Sequence, residues 1–345
     1  MLGSSAFVSV IIPTKNAEKH IFTCIESLEK SDYPNDKFEL IVIDGGSVDK
    51  TVDIVKKLQK KYANIRLIFA DGANTSVGRN IGIKSASGDI IINFSGHAVA
   101  EKDFIRVLST KLQDSENNIA GVGCKDGIPV DQSTSIAQYI ECITSTKLGG
   151  SAMHQHMEFH GEQFSDSISF TAYRREIFEK VGFFDPALPS GDDAELNLRI
   201  RKAGYKLLHT PATCIYRYRR EKLKDFFWQM FNYGRSRMQI IKKHPNSIRL
   251  VYLIPELFVA YLFTFFALLF LNSTMLFTAW ISGIFIYFLL LLGFSIKISF
   301  SKKNLKLLIV CPILYFTEHF AYGLGLLLET VSFKRRSHKK GESSE

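Results

Sequence analysis

The sequence predicts an α/β fold, a mostly parallel sheet with helices on both faces, followed by an α-helical membrane part. Three observations carry this. Short apolar runs alternate with amphipathic stretches as far as residue 225, the pattern of a doubly wound sheet. The runs are unbroken and rich in Ile and Val, as strands covered on both faces must be. No charged residue occurs from Leu257 to Ile296, a composition that a water-facing helix does not tolerate.

The elements follow in order. FVSVIIP (Phe7–Pro13) is a β-branched strand ending in polar Thr14-Lys15-Asn16. A leader peptide would begin with a basic segment; here the first apolar run reads as this strand instead. His20–Lys30 can form a helix, and FELIVID (Phe38–Asp44) is a second strand ending in Gly45-Gly46-Ser47. Thr51–Tyr62 is helical and basic on one face, Ile65–Ala70 is a third strand, and Asn74–Ser87 is a turn and helix. Asp89–Phe94 (DIIINF) is a fourth strand, followed by Ser95-Gly96-His97. In such sheets ligands bind beyond the carboxyl ends of the strands. That directs attention to Thr14–Asn16, Asp44–Ser47 and Ser95–His97.

Composition excludes several classes. The chain has 345 residues, enough for more than one domain. Its 43 Lys and Arg against 34 Asp and Glu give a net charge of +9 that is too dispersed to imply nucleic acid. Cys24, Cys124, Cys142, Cys214 and Cys311 are scattered, with no C-x-x-C pair. A zinc ribbon, a redox motif and a disulfide framework are therefore disfavoured, and reduced thiols facing a cytosol are expected. Neither G-x-G-x-x-G after the first strand nor G-x-x-x-x-G-K-[ST] is present, which removes the main support for dinucleotide and P-loop enzymes.

Leu250–Leu271 and Thr274–Phe294, joined by Asn272-Ser273, read as a transmembrane hairpin. Arg235, Arg237, Lys242, Lys243 and Arg249 precede it, and Lys297, Lys302, Lys303 and Lys306 follow it. By the positive-inside rule both flanks are cytoplasmic. A third apolar stretch, Leu307–Leu328, contains Pro312, Glu318 and His319; it reads either as a span or as a re-entrant or interfacial segment. Lys222–Lys243 interleaves Phe226, Phe227, Met230 and Phe231 with basic residues. This is expected to lie in the headgroup plane, the ordinary alternative being an amphipathic helix packed on protein. The division expected is 1–225 for the α/β domain, 226–249 for the interfacial helix, 250–330 for the membrane region and 331–345 for a basic disordered tail.

Candidate site residues each have an ordinary reading beside the functional one. Asp44 could receive a hydrogen bond from a base or ribose, or simply form the turn before two glycines. His97 could bind metal or be a surface residue. Asp192-Asp193 could supply a general base, or favour the N-terminus of the helix that follows; the two roles are compatible. His154, His156 and His160 are read as part of an acceptor-site loop in preference to a zinc site.

Several ordered stretches carry a resemblance: VSVIIPTKNAEKHIFTCIESLEKSDYP, ELIVIDGGSVDKT, SVGRNIGIKSASGDIIINFSGHA, FEKVGFFDPALPSGDDAELNLRIRKAGYKL and FWQMFNYGRSR. Together they resemble the family 2 glycosyltransferases, which have the GT-A fold, and most of all the membrane-associated exopolysaccharide enzymes of the succinoglycan type. The match runs from Phe7 to Lys243, with a weaker echo in HFAYGLG. The resemblance implies that Asp44 contacts the base of a nucleotide-sugar, with UDP-sugar expected, and that Thr14 and Asn16 border the same pocket. It places Arg79 near the base or diphosphate. His97 stands at the last position of the family's metal motif, with Ser95 in place of the usual first Asp, so a divalent cation, Mn²⁺ or Mg²⁺, is implied on an altered ligand set. Asp193 stands at the catalytic base and Asp192 beside it, and Arg235 and Arg237 are candidates to stabilise the leaving diphosphate.

The function expected is a membrane-anchored inverting glycosyltransferase of polysaccharide or glycan assembly, in the cell membrane with its catalytic domain cytoplasmic. Its partners would be a nucleotide-sugar donor, a polyprenyl-linked saccharide acceptor and membrane lipid, with no nucleic acid. The alternatives are a polyprenyl-phosphate sugar synthase, a processive synthase, and a catalytically weak GT-A domain acting as an assembly or binding subunit.

Overall fold

The computed structural model describes residues 6–129, 136–149, 161–188, 190–271 and 273–341. Packing divides the chain into two units, residues 1–131 with 154–218, and 132–153 with 219–345.

In the first unit, β1 (Val8–Thr14) leads through α1 (Ile21–Glu29) to β2 (Phe38–Asp44), then α2 (Thr51–Lys61), β3 (Ile65–Phe69), α3 (Thr75–Ser85) and β4 (Ile90–Asn93). These four strands lie in the order β3-β2-β1-β4, all parallel, as their patterning predicts. Beyond them come β5 (Ala98–Ala100), α4 (Phe104–Asp114) and β6 (Ile119–Gly127); α5 (Ile136–Thr144) then falls in the second unit. The first unit resumes with β7 (Gln163–Phe164), β8 (Ala172–Arg174), α6 (Glu176–Val181), α7 (Asp192–Lys202) and β9 (Lys206–Arg217). They extend the sheet as β4-β8-β6-β9-β5, with β7 on β9. Here β8 runs antiparallel to β4 and β6, and β5 and β7 antiparallel to β9, so this half is mixed.

The strands bury both faces by simple alternation. Val8, Val10 and Ile12 join Leu40, Val42, Ile90 and Ile92 in one core with residues of α1, α2 and α4. Ile11, Ile41, Ile43 and Ile91 point the other way, into a second core with residues of α3, α6 and α7. Register sets Thr14 opposite Asp44, so β1 and β2 end level at the edge where the polar clusters stand.

The second unit contains α5, α8 (Leu223–Lys243), α9 (Leu250–Leu271), α10 (Thr274–Lys302) and α11 (Leu307–Gly341). Leu250–Leu271, Thr274–Lys302 and Leu307–Ser332, of 22, 29 and 26 residues, are long and apolar enough to cross a membrane. The third is continuous through Pro312. Half of its apolar window is covered by protein, against 6% for the first two. Tyr315 and His319 on α11 bind the chain after α5, at Thr146 (2.8 Å) and the Leu148 carbonyl (3.2 Å); polar groups on such a helix need protein partners of this kind. The helix extends to Gly341. Lys and Arg are good helix formers, and extending a formed helix needs no new nucleus.

Helices α8 and α11 cross backbone to backbone. A Cβ added to Gly234 would collide with the Tyr322 carbonyl, and one added to Gly325 with the Phe231 carbonyl. Replacing Gly325 by Ala is expected to destabilise this crossing by about 1–3 kcal/mol, as overpacking does. A Cβ added to Gly293 would meet nothing within 4 Å, so Gly293→Ala is the control. Thermal unfolding in detergent should show a lower midpoint for the first variant alone.

Candidate active site at the carboxyl edge of the sheet

The loops after β1 and β2 are stapled together. Asp44, 2% exposed, accepts hydrogen bonds from the Gly46 and Ser47 amides (3.1 and 2.9 Å) and from Ser47 Oγ (2.5 Å). Gly46 lies at φ +85°, a conformation that favours glycine. Asn16, at φ +51°, receives the Val48 amide on Oδ1 (2.9 Å) and donates its own amide to Ser47 Oγ (2.8 Å). Thr14 is 7% exposed, and its Oγ1 has no hydrogen-bond partner among the described residues. Gly96 packs directly on it: an added Cβ would lie 2.8 Å from Thr14 Oγ1. The three polar strand ends read from the sequence thus meet at one edge, with Asp44 serving the turn as well as any ligand.

The carboxylates come from α7. Gly191, at φ +70°, turns the chain into the helix, and Asp192, Asp193 and Glu195 occupy its first turn, where the helix dipole favours anions. Arg79 reaches them from α3. Its Nη1 lies 2.5 Å from Asp192 Oδ2 and 3.1 Å from Asp193 Oδ1. Asp192 Oδ2 also accepts from Ser76 Oγ (3.2 Å), and Asp193 Oδ1 from Asn93 Nδ2 (2.8 Å). The expectation from the family resemblance sets Arg79 near base or diphosphate; its guanidinium is paired with these two acids. A buried cation requires a counter-charge, and the acids of α7 provide it.

The two acids are not equivalent. The Asp192 side chain is 10% exposed and that of Asp193 20%. One guanidinium shared by two carboxylates leaves the cluster a net negative charge. Burial, and then the Asp192 charge, raise the Asp193 pKa to about 6, against the pull of Arg79 and Arg217. Arg217 is itself paired with Asp126 at 2.5 Å. At neutral pH Asp193 is therefore an ionised carboxylate with an unusual readiness to take a proton, which is what a general base requires.

His97 is exposed in the loop after β4. The His20 ring lies edge-on to it, 5.6 Å between centroids, and His20 stacks on Tyr218 at 4.0 Å. Ser95 Oγ receives the His97 amide at 3.4 Å. Among the described residues no group of three or more His, Cys, Asp or Glu side chains could hold a metal ion unaided. A lone exposed imidazole could contribute at most one ligand to such an ion, and imidazole suits Mn²⁺ better than Mg²⁺.

Arg235 and Arg237 lie on α8 in the second unit, Arg235 Nε 3.3 Å from Glu329 and Arg237 4.4 Å over the Tyr252 ring. His154, His156 and His160 lie outside the described residues. Sequence reasoning missed Ser76, Asn93, Asp126 and Arg217. Only Asn93 left a local signal, as a polar residue closing an apolar strand.

The sequence pattern of "Glycosyl transferase family 2" matches residues 9–182, and that of "Glycosyl transferase family group 2" matches 96–317. The chain belongs to glycosyl transferase family 2 and is a glycosyltransferase. It is 33% identical, over 95% of its length and 99% of the relative's, to a dolichyl N-acetyl-α-D-glucosaminyl phosphate 3-β-D-2,3-diacetamido-2,3-dideoxy-β-D-glucuronosyltransferase of Methanococcus voltae. It is 28% identical, over 95% of its length and 96% of the relative's, to the succinoglycan biosynthesis protein ExoA of Rhizobium meliloti (strain 1021). Among solved structures it resembles the mannosyltransferase PcManGT of Pyrobaculum calidifontis, described in complex with GDP-Man and Mn²⁺. The TM-score is 0.55 at 17% identity, covering 72% of this chain and 66% of that one. This likeness establishes the GT-A fold.

Proposed function

We propose that the protein is a membrane-anchored inverting glycosyltransferase that moves a sugar from a nucleotide-sugar, a UDP-sugar, to a lipid-linked saccharide at the cytoplasmic face of the cell membrane. The observation that carries this is the carboxylate of Asp193, held by one oxygen at the sheet edge where ligands of such folds bind. An acceptor hydroxyl attacks the anomeric carbon opposite the leaving nucleoside diphosphate. Its proton passes to Asp193 as the new C–O bond forms and the bond to the diphosphate breaks. Thr14, Asn16 and Asp44 border the nucleotide. Three apolar helices with basic flanks favour an acceptor presented at the bilayer, with the catalytic unit on the cytoplasmic side.

The Methanococcus voltae relative, by its name, acts on a dolichyl-linked sugar phosphate. This favours an acceptor that already carries a saccharide over bare polyprenyl phosphate. The neighbour's Mn²⁺ supports a divalent cation here, which His97 would hold; when bound, such an ion would neutralise charge on the departing diphosphate.

Membranes containing the protein should label a lipid extract from radioactive UDP-sugars presented one at a time, with GDP-mannose as the competing donor. Chelator should lower the rate by about 10-fold or more, Mn²⁺ should restore it better than Mg²⁺, and His97→Ala should weaken Mn²⁺ dependence. Transfer that ignores chelator would remove the metal from the account. Absence of transfer from every donor would favour an assembly subunit.

A further inference from the structure

Asn93 closes β4 after three isoleucines and is 3% exposed. An apolar residue would suit such a place better. Its Nδ2 reaches Asp193 Oδ1 at 2.8 Å, while its own Oδ1 is buried with no partner among the described residues. Turning the amide over would bring oxygen against carboxylate oxygen, so the ionised acid fixes the orientation. The unmet acceptor is a standing penalty, offset on the side chain, among the described residues, by the bond to Asp193. Arg79 donates to that same oxygen at 3.1 Å. Both donors therefore converge on Oδ1.

We infer that Asn93 is a positioning residue for the carboxylate that receives the acceptor proton: it fixes Oδ1 so that Oδ2 is presented to the acceptor hydroxyl. An amide suits this task because it adds direction without charge. Arg79 already neutralises one of the two carboxylates, and a second cation in place of Asn93 would neutralise the pair and take away the basicity that proton transfer requires. The inference rests on the reading of Asp193 as the base.

The test uses the full-length protein in detergent and in membranes, with Asn93→Leu and the smaller change Asn93→Ser. The first readout is infrared titration of the protonated-carboxyl band that disappears in Asp193→Asn. Losing one hydrogen bond to the charged form should move its midpoint upward by about one pH unit. The second is transfer from radioactive UDP-sugars to lipid extract, where kcat should fall by about 10- to 100-fold with little change in donor KM. A purely structural role would leave the midpoint in place. An unmoved midpoint in both folded variants, with kcat unchanged, overturns the inference. Full transfer by Asp193→Asn with a shifted band in the Asn93 variants would instead sink the base assignment while leaving the Asn93–Asp193 coupling intact.

Discussion

Asp193→Asn is expected to lower sugar transfer by about 10²–10⁴-fold, the usual worth of a positioned general base. The amide keeps the shape and can still meet Asn93 and Arg79 in part, so the fold should survive. It cannot take a proton. The loss should fall on kcat with donor KM little changed, because Asp44, Thr14 and Asn16 stand on other strand ends. Asp192→Asn should cost less. Asp192 is the more buried of the two and is bound through Oδ2 by both Arg79 and Ser76, so its part is to hold Arg79 and to keep charge beside Asp193. Transfer assays with donor varied at saturating lipid extract separate these outcomes.

Arg79→Met should have the largest effect on stability. It leaves two neighbouring carboxylates, with side chains 10% and 20% exposed, without the cation they share. Breaking a buried pair from one side costs about 3–5 kcal/mol. The sign with pH follows from the charges. With Arg79 present the cluster carries a net single negative charge; without it the two acids repel, and Asp193 holds its proton more tightly. The deficit should therefore be greatest above the Asp193 pKa and smaller in acid, where protonation relieves the repulsion. Remaining activity should shift toward higher pH. Arg79→Lys should recover part of both losses, since it restores the charge that Nη1 presents to both acids but on a more flexible stem than the guanidinium. Thermal unfolding between pH 5 and 8 measures the first effect and the transfer assay the second.

How far the sequence was legible follows from chain length and range. The strands β1 to β4 were read within a residue or two because each is an apolar run bounded by turn residues. The strands β5, β7 and β8 span three, two and three residues, too few for any period. The twelve residues of β9 carry Pro211, and its pairing with β6 shifts register, which breaks the alternation that would mark it. At the candidate site, strand-end reasoning singled out Thr14, Asp44 and His97, and the paired acids before a helix marked Asp192 and Asp193. The ion pair of Arg79 with Asp192 joins residues 113 apart. No local pattern encodes such a contact. For the same reason Arg217 passed unnoticed, although its charge acts on Asp193.

The most direct test is the dependence of kcat/KM on pH from 5 to 9, for the native protein and for the residual activity of Asp193→Asn. The account predicts that the native rate falls on the acid side through one ionisation near the Asp193 pKa of about 6, and that this fall is absent from the variant. An acid limb that persists unchanged in Asp193→Asn would show that another group takes the proton.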